Sequence, residues 1–316
     1  MSSNSKILIT GGTGLVGSAC TGDIRLNRSK IGGDLRKSYI VDNVFSAHKP
    51  THVIHCASRV GGVGGNTKYK GEYFYDNIMI NTNVIDAAHR YDVEKLVAFM
   101  STCVFPDDVE YPLTPDKIHL GEPHSSNYAY AYAKRMSEVQ IRAYREQYGR
   151  KYVSVVPTNV FGPHDNFDIY DGHVVPSLIH KCYIAKQTNS EFDVWGTGKP
   201  LREFIYSKDL GQLTDWVLMN YEDPEPLILS TSEEISIKDV VGVIVDKMKF
   251  TGKVRWAATK PDGQYRKPSD NSKLKELLPD FKFTPFEQAI EETIDWFDSN
   301  YPGGVRVGSS CPFSIH

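Results

Sequence analysis

Lys6-Ile-Leu-Ile-Thr-Gly-Gly-Thr-Gly-Leu-Val-Gly17 decides the fold. A short apolar run that ends in glycines reads as a buried first strand entering a tight turn. Gly11, Gly14 and Gly17 stand three residues apart. That spacing permits a sharp turn, close approach of backbone to a pyrophosphate, and close packing of the following chain on the sheet. Directly after an N-terminal strand, the motif marks a dinucleotide site, with Leu15 and Val16 inside it.

Thr51-His-Val-Ile-His55, Lys95-Leu-Val-Ala-Phe-Met100 and Tyr152-Val-Ser-Val-Val156 repeat the look of the first strand. Between the last two, a helical pattern runs from about Ala129 to Tyr148, with Met136, Val139, Ala143 and Tyr144 assigned to one face. Strands alternating with helices predict an α/β fold of the Rossmann kind, a doubly wound parallel sheet. Residues 1–163 are expected to form the cofactor domain, with a stretch at about 200–230 returning to it. After Pro163, Gly, Pro, Asp and aromatic residues become frequent, and residues 164–302 read mainly as a smaller C-terminal substrate-binding lobe. A closing helix is expected over Phe286 to Tyr301, with Ile290, Ile294 and Phe297 on one face. Residues 303–316 read as a flexible tail.

Bulk properties narrow the function. The 316 residues suffice for one large domain with a smaller lobe. A net charge near -3 with 24% charged residues offers no strong field for nucleic acid or a membrane surface. No stretch approaches the apolar length of a membrane span. The N-terminus lacks a charged region followed by a long apolar run, so no signal peptide is expected. The five cysteines are odd in number and show no C-x-x-C spacing, which points to a reducing, cytoplasmic setting without a disulfide frame or a zinc site.

The choice between NAD and NADP falls near the end of the second strand, where an acid would favour the free ribose hydroxyl. Ile24-Arg-Leu-Asn-Arg-Ser-Lys30 has three basic residues and no acid. Arg25 and Lys30 read as surface charges. Arg28, followed by Ser29, suits a 2'-phosphate, because a guanidinium fork matches phosphate geometry. NADP is the expected cofactor.

One feature departs from a standard dinucleotide fold. Only the six residues Ser18 to Asp23 separate Gly17 from Ile24. A five-residue strand is about 17 Å long. Six helical residues rise only about 9 Å, too little to return along it. Six extended residues reach about 20 Å. The first crossover helix is therefore expected to be reduced to about a turn or replaced by an extended link.

Tyr130-Ala-Tyr-Ala-Lys134 sets a tyrosine and a lysine four apart, on one helix face. A nearby ammonium is expected to lower the tyrosine pKa and make it a usable proton donor to a carbonyl. Tyr128 and Tyr132 lack that spacing to Lys134 and read as packing residues. Ser101 follows a central strand at its carboxyl end, where ligands bind in such sheets, and could bond the same carbonyl. Cys103, by position alone, reads as core.

With the glycine motif, Ser101, Tyr130 and Lys134 in place, the chain resembles the extended short-chain dehydrogenase/reductase family. Further stretches carry a closer likeness to one branch of it. They are His55-Cys-Ala-Ser-Arg-Val-Gly-Gly62, Ser101-Thr-Cys-Val-Phe-Pro106, Tyr130 to Gln140, Pro157-Thr-Asn-Val-Phe-Gly-Pro-His-Asp-Asn-Phe167, Gly172-His-Val-Val-Pro176, Val194-Trp-Gly-Thr-Gly198, and Asn271 through Trp296. That branch inverts carbons 3 and 5 of GDP-4-keto-6-deoxy-D-mannose and reduces carbon 4 with NADPH, giving GDP-L-fucose. The resemblance implies that Cys103 and His173 are the base and acid of the inversion. It implies cofactor contacts at Asp34, Leu35, Ala57, Ser58, Lys134, Pro157, Asn159, Val160 and His173. It also implies GDP-sugar contacts at Asn159, Val174, Leu178, Lys181, Trp195, Arg202 and Lys267, although Trp195 could equally be lobe core. Lys181 stands where some members have arginine, which makes its grip on phosphate less directional. Members pair two helices from each subunit, so a homodimer is expected, and the face of the Ala129–Tyr148 helix bearing Val139, Tyr144 and Tyr148 is available for it.

Two other functions compete. A 4-epimerase or simple 4-reductase on the same scaffold needs Ser101, Tyr130 and Lys134 but not the Cys103 and His173 pair. A non-catalytic NADP sensor needs neither, and the presence of Tyr130 with Lys134 weighs against it.

The cofactor reading is tested by Arg28→Ala. It should raise KM for NADPH and leave KM for NADH little changed in steady-state assays, and equal effects on both would remove Arg28 from the 2'-phosphate site.

Overall fold

The computed structural model describes residues 5–27, 33–257 and 264–307. The chain runs through β1 (Ile7–Thr10), β2 (Ile24–Arg25), α1 (Ser38–His48), β3 (His52–His55), α2 (Val63–Lys68), α3 (Lys70–Arg90), β4 (Lys95–Phe99), α4 (Tyr128–Tyr148) and β5 (Lys151–Pro157). It continues through β6 (Asn159–Phe161), α5 (Val174–Thr188), β7 (Phe192–Trp195), β8 (Leu201–Tyr206), α6 (Ser207–Asn220), β9 (Leu227–Leu229), β10 (Glu234–Ser236), α7 (Ile237–Lys247), β11 (Val254–Ala257), α8 (Ser272–Leu277) and α9 (Phe286–Asn300).

The main sheet has the order β2-β1-β3-β4-β5-β9, and every pairing is parallel. Both faces of such a sheet are covered, which is why its strands are continuous apolar runs. Alternation divides them. Leu8, Val53, Leu96 and Tyr152 pack with Phe45, Ile85 and Ile141 on one side. Ile7, Ile9, Ile54, Val97 and Val155 pack with Leu210, Leu213 and Val217 of α6 on the other. The lobe has its own core, built from Phe161, Phe167, Ile179, Phe192, Val240, Ile290, Ile294 and Phe297. Leu274 of α8, with Leu278, Phe281 and Phe283, joins the α6 side of the main sheet, so part of the C-terminal region lies against the sheet.

Two expectations are corrected. The buried face of α4 carries Lys134, Arg135, Ser137, Glu138 and Ile141, while Met136 and Ala143 are exposed. Tyr144 and Tyr148 pack on His89 of α3, at 5.2 and 4.2 Å between ring centroids, and Tyr148 stays 46% exposed. The chain from Gly303 is not loose throughout. Val305 and Val307 are buried in the lobe core, and Phe167 donates its N–H to the Arg306 carbonyl at 2.8 Å. Residues 308–316 lie outside the described residues.

Between β1 and β2 the chain makes turns and no helix, as the length argument requires. Arg25 is no surface charge. Its guanidinium donates to the carbonyls of Gly12, Gly17 and Cys20, the last two at 2.5 Å, and so closes the turn from behind. Thr21 donates its N–H to the Asp215 carboxylate of α6 at 3.0 Å. A Cβ on Gly211 would lie 2.3 Å from the Ala19 carbonyl oxygen, so α6 packs directly on this link.

Charged hydrogen bonds of this kind contribute roughly 1.5–3 kcal/mol each, less where water competes. Arg25→Ala should therefore lower the urea-unfolding free energy by about 2 kcal/mol and raise KM for NADPH more than it lowers kcat. Unchanged stability would mean that water replaces the guanidinium at no cost.

Candidate functional site

The glycine turn sits at the carboxyl end of β1, against the end of β3. Gly11 has φ +65, and a Cβ there would lie 2.9 Å from the Ala57 nitrogen. A Cβ on Gly17 would lie 2.4 Å from the Gly11 carbonyl oxygen. Gly14, by contrast, would meet only the Gly11 carbonyl oxygen, at 3.4 Å, and leaves the outer side open. The N–H groups of Leu15 and Val16 have no carbonyl partner among the described residues. An open backbone cradle with unpaired N–H groups fits the pyrophosphate of a dinucleotide. Ala57 and Ser58 adjoin it. Asp34 grips Arg36 at 2.6 Å, and Arg36 reaches Asp76 at 2.7 Å. Leu35 turns its side chain inward. Its side chain is buried among Val41, Phe45 and Val84, and its carbonyl accepts from Asn83 at 3.0 Å. Arg28 lies outside the described residues.

A buried hydrogen-bond chain leads from this turn to α4. Ala57 donates its N–H to Thr10 Oγ1 at 3.1 Å, and the Thr10 hydroxyl is hydrogen-bonded to His55 Nδ1 at 2.7 Å. His55 Nε2–H then donates to Asn81 Oδ1 at 3.0 Å, and Asn81 Nδ2 donates to the Ala133 carbonyl at 3.3 Å. With the imidazole neutral, Nδ1 accepts from the Thr10 hydroxyl and Nε2–H is the donor. Burial, helped by the Lys134 charge, pushes His55 down to about 3. Ala133 precedes Lys134, so the network fixes the helix that carries the tyrosine and lysine.

Ser101 and Cys103 follow β4. Ser101 accepts from the Cys103 N–H at 3.5 Å, and Lys134 Nζ donates to the Phe99 carbonyl at 3.0 Å beneath them. Burial pushes the Cys103 thiol up, while the Ser101 hydroxyl and the Lys267 and Lys134 charges pull it back. Burial pushes Lys134 down to about 8, against the opposing effect of Cys103. Lys267 is likewise lowered by burial and raised by Cys103. Tyr130 differs from expectation. Its phenol is pushed up, first by burial and then by Cys103, with Ser58 opposing. The Lys134 ammonium lies 5.8 Å from the Tyr130 ring centroid and is committed to the Phe99 carbonyl. Tyr130 is therefore held protonated by burial, and Lys134 does not activate it in this state.

His173 caps α5 across the cleft, with φ -69 and ψ 167. Its Nδ1 lies 3.1 Å from Oδ1 of Asp165. The Gly62 N–H donates to the Asp171 carbonyl at 2.9 Å, so the loop after β3 clasps the segment that leads into His173. Val174 is 43% exposed and Trp195 is 44% exposed, so Trp195 is not lobe core. Lys181 Nζ lies 3.8 Å from the Trp195 ring centroid. Leu178 is 4% exposed and buried in the lobe core, so its side chain is not brought to that patch. Asn159 Nδ2 donates to the Glu203 carbonyl at 2.8 Å, beside Pro157 at the end of β5 and next to Val160 in β6. Arg202 bonds its own neighbour's carbonyl, on Leu201, at 2.7 Å.

Sequence reasoning missed Asp165, Arg25, and the Thr10, His55 and Asn81 chain. Asp165 and His55 stood inside quoted motifs, but their partners are eight and 26 residues away in sequence.

The profile of the family described as "NAD dependent epimerase/dehydratase family" matches residues 7–229. A GDP-L-fucose synthase of Dictyostelium discoideum is 49% identical, covering 95% of this chain and 97% of the relative. A probable GDP-L-fucose synthase of Drosophila melanogaster is 41% identical, covering 94% of this chain and 98% of the relative. The crystal structure of a GDP-L-fucose synthetase from Naegleria fowleri bound to NADP superposes with a TM-score of 0.91 at 44% identity, covering 97% of this chain and 96% of that one.

The His55 network has a pH signature. The unfolded chain protonates this histidine below about 6.5, while the fold resists protonation down to about 3. Its stabilising contribution is therefore present above pH 6.5 and declines as pH falls towards 3, by at most about 1.4 kcal/mol per unit. Urea unfolding between pH 7 and 5 should show a shallower decline for His55→Gln than for the native chain. Parallel declines would mean that His55 titrates normally.

Proposed function

The chain belongs to the NAD dependent epimerase/dehydratase family, and from that premise we propose how its cleft divides the work of the reaction. The enzyme converts GDP-4-keto-6-deoxy-D-mannose to GDP-L-fucose by 3,5-epimerisation and NADPH-dependent 4-reduction. The observation that supports the division most is the meeting of Ser101, Cys103 and Lys134 at the carboxyl end of β4, with the Cys103 N–H on Ser101 at 3.5 Å and Lys134 on the Phe99 carbonyl at 3.0 Å.

Protons on carbons 3 and 5 are acidified by the ketone at carbon 4. Cys103 removes such a proton once its thiol ionises, and Lys267 and Lys134 favour that thiolate. His173, on the lobe side, returns a proton from the other face and so inverts the centre. Ser101 and Tyr130 hold the ketone oxygen. Bound NADPH supplies the hydride that reduces carbon 4. Tyr130, kept protonated by burial, gives its proton to the alkoxide. The open glycine cradle, with Leu15 and Val16 N–H groups, receives the pyrophosphate, Arg28 the 2'-phosphate, and Ala57, Ser58, Pro157 and Val160 line the cofactor's path. Lys181, Trp195, Arg202, Val174 and Asn159 take the GDP-sugar.

We also assign the exposed face of α3 and α4, bearing Phe74, Tyr75 and Met136, to contact with a second copy in a cytoplasmic homodimer. Apolar groups on two adjacent helices support this reading.

Isotope labelling tests the division. In heavy water the native enzyme should place deuterium on carbons 3 and 5 of the product. Cys103→Ser should lose most of that label and still reduce some ketone, giving a sugar not inverted at one or both centres by NMR. Full label at the native rate would return Cys103 to a packing role and favour a simple 4-reductase.

A further inference from the structure

The lobe side of the cleft holds a buried carboxylate that the reaction described above does not use. Asp165 is 3% exposed. Its Oδ1 accepts from the Asn166 N–H at 2.7 Å and from His173 Nδ1 at 3.1 Å. Its Oδ2 is buried with no partner among the described residues. We propose that Asp165 is a positioning residue for the epimerisation, fixing the ring orientation and tautomer of His173 and keeping its imidazole in the proton-donating form. The inference rests on His173 being the acid.

An ionised carboxylate only accepts hydrogen bonds, so Nδ1 of His173 must carry the proton. Nε2 is then the atom that gives a proton to the sugar and takes one back. The loop is built to hold Asp165 still. Phe167 is tied to Arg306, Asp168 Oδ1 accepts the N–H groups of Tyr170 and Asp171, and Gly172 donates its N–H to the Asp168 carbonyl. A Cβ on Gly172 would lie 2.3 Å from that carbonyl oxygen, so His173 leaves a turn with no slack.

Charge matters as well as shape. Burial alone would lower the His173 pKa, but the charge and hydrogen bond of Asp165 outweigh it and raise the pKa, with Arg306 opposing. Asp165 from the loop after β6 and Arg306 from the C-terminal segment are the charged groups that act on this ring among the described residues. A buried carboxylate with one uncompensated oxygen is costly to keep. A purely structural acceptor could be an amide of the same shape, at a smaller burial cost than a charge. The charge is useful only to a group that must itself carry charge, and His173 is that group here.

Asp165→Asn keeps the shape and removes the charge. The rate of deuterium incorporation at carbons 3 and 5 should fall at least about tenfold near pH 7.5, in kcat more than in KM for NADPH. The alkaline limb of its pH profile should move down by about one unit, because His173 would lose its proton earlier. A native rate and profile would overturn the assignment. His173→Asn separates the two readings. Full label in His173→Asn would overturn the acid itself, whereas loss there with none in Asp165→Asn would overturn only Asp165. If Asp165→Asn does not fold, nitrogen-15 histidine spectra of the native enzyme decide, with His173 assigned from its loss in His173→Asn. An Nδ1–H tautomer titrating above free histidine is expected. An Nε2–H tautomer, or titration below free histidine, would overturn the proposal.

Discussion

A single guanidinium, Arg25, holds the nucleotide end of this fold together. The link from β1 to β2 is too short for a crossover helix, and the glycine turn therefore lacks the helix that normally braces it. Three carbonyls of the turn and link converge on Arg25 instead. The substitution is physical as well as geometric. A helix offers a partial positive charge at its N-terminus, and Arg25 places a full charge behind the same backbone. The turn then rests on Ala57 through Gly11, and Ala57 begins the chain of hydrogen bonds through Thr10, His55 and Asn81 to α4. The seat of the tyrosine and lysine is thus continuous with the brace of the turn.

The two walls of the cleft have opposite electrostatics. On the sheet side, Lys134 is buried and Cys103, Tyr130 and Lys267 are half-buried, and partial desolvation drives each towards its neutral form. Their charges oppose that drift pairwise: a thiolate at Cys103 favours ammonium at Lys134 and Lys267, and the reverse holds. On the lobe side, Asp165 drives His173 towards its charged form. One fold thus holds the proposed base towards its neutral form and the proposed acid towards its charged form, because their environments push in different directions.

The parallel sheet was legible because its strands are continuous apolar runs, and the missing crossover helix because six residues cannot return helically along a strand. Tyr130 and Lys134 were legible from spacing. The face of α4 was not, and the reason is specific. Its buried side carries charge whose partners are remote main-chain groups: Lys134 on Phe99, and Arg135 on Val104 and Gly121. Apolar periodicity cannot report burial satisfied in that way, so Met136 looked like core. Arg25 looked like surface for the same reason. The 303–307 stretch misled through its glycines, while Val305 and Val307 alternate into the lobe core.

Inversion needs a base and an acid on opposite faces of one sugar ring, and the two residues proposed for those roles come from different layers of the molecule. Cys103 belongs to the sheet, His173 to the lobe. Their separation is therefore set by whatever joins the layers nearby. Gly62 donates to the Asp171 carbonyl, and a Cβ there would lie 2.9 Å from the Gly172 oxygen. A Cβ on Gly61 would lie 2.2 Å from the Tyr73 hydroxyl, whose ring stands edge-on to Tyr130 at 6.5 Å. The two glycines thus let one loop touch the tyrosine side and the histidine side at once. A side chain at Gly62 would press on the Gly172 backbone and wedge the layers apart, and a displacement of about an ångström is enough to cost a reaction that depends on aligned groups. Glycine at Gly62 is required by contact between layers, because the two residues proposed as base and acid stand one in each layer and cannot be spaced by either alone.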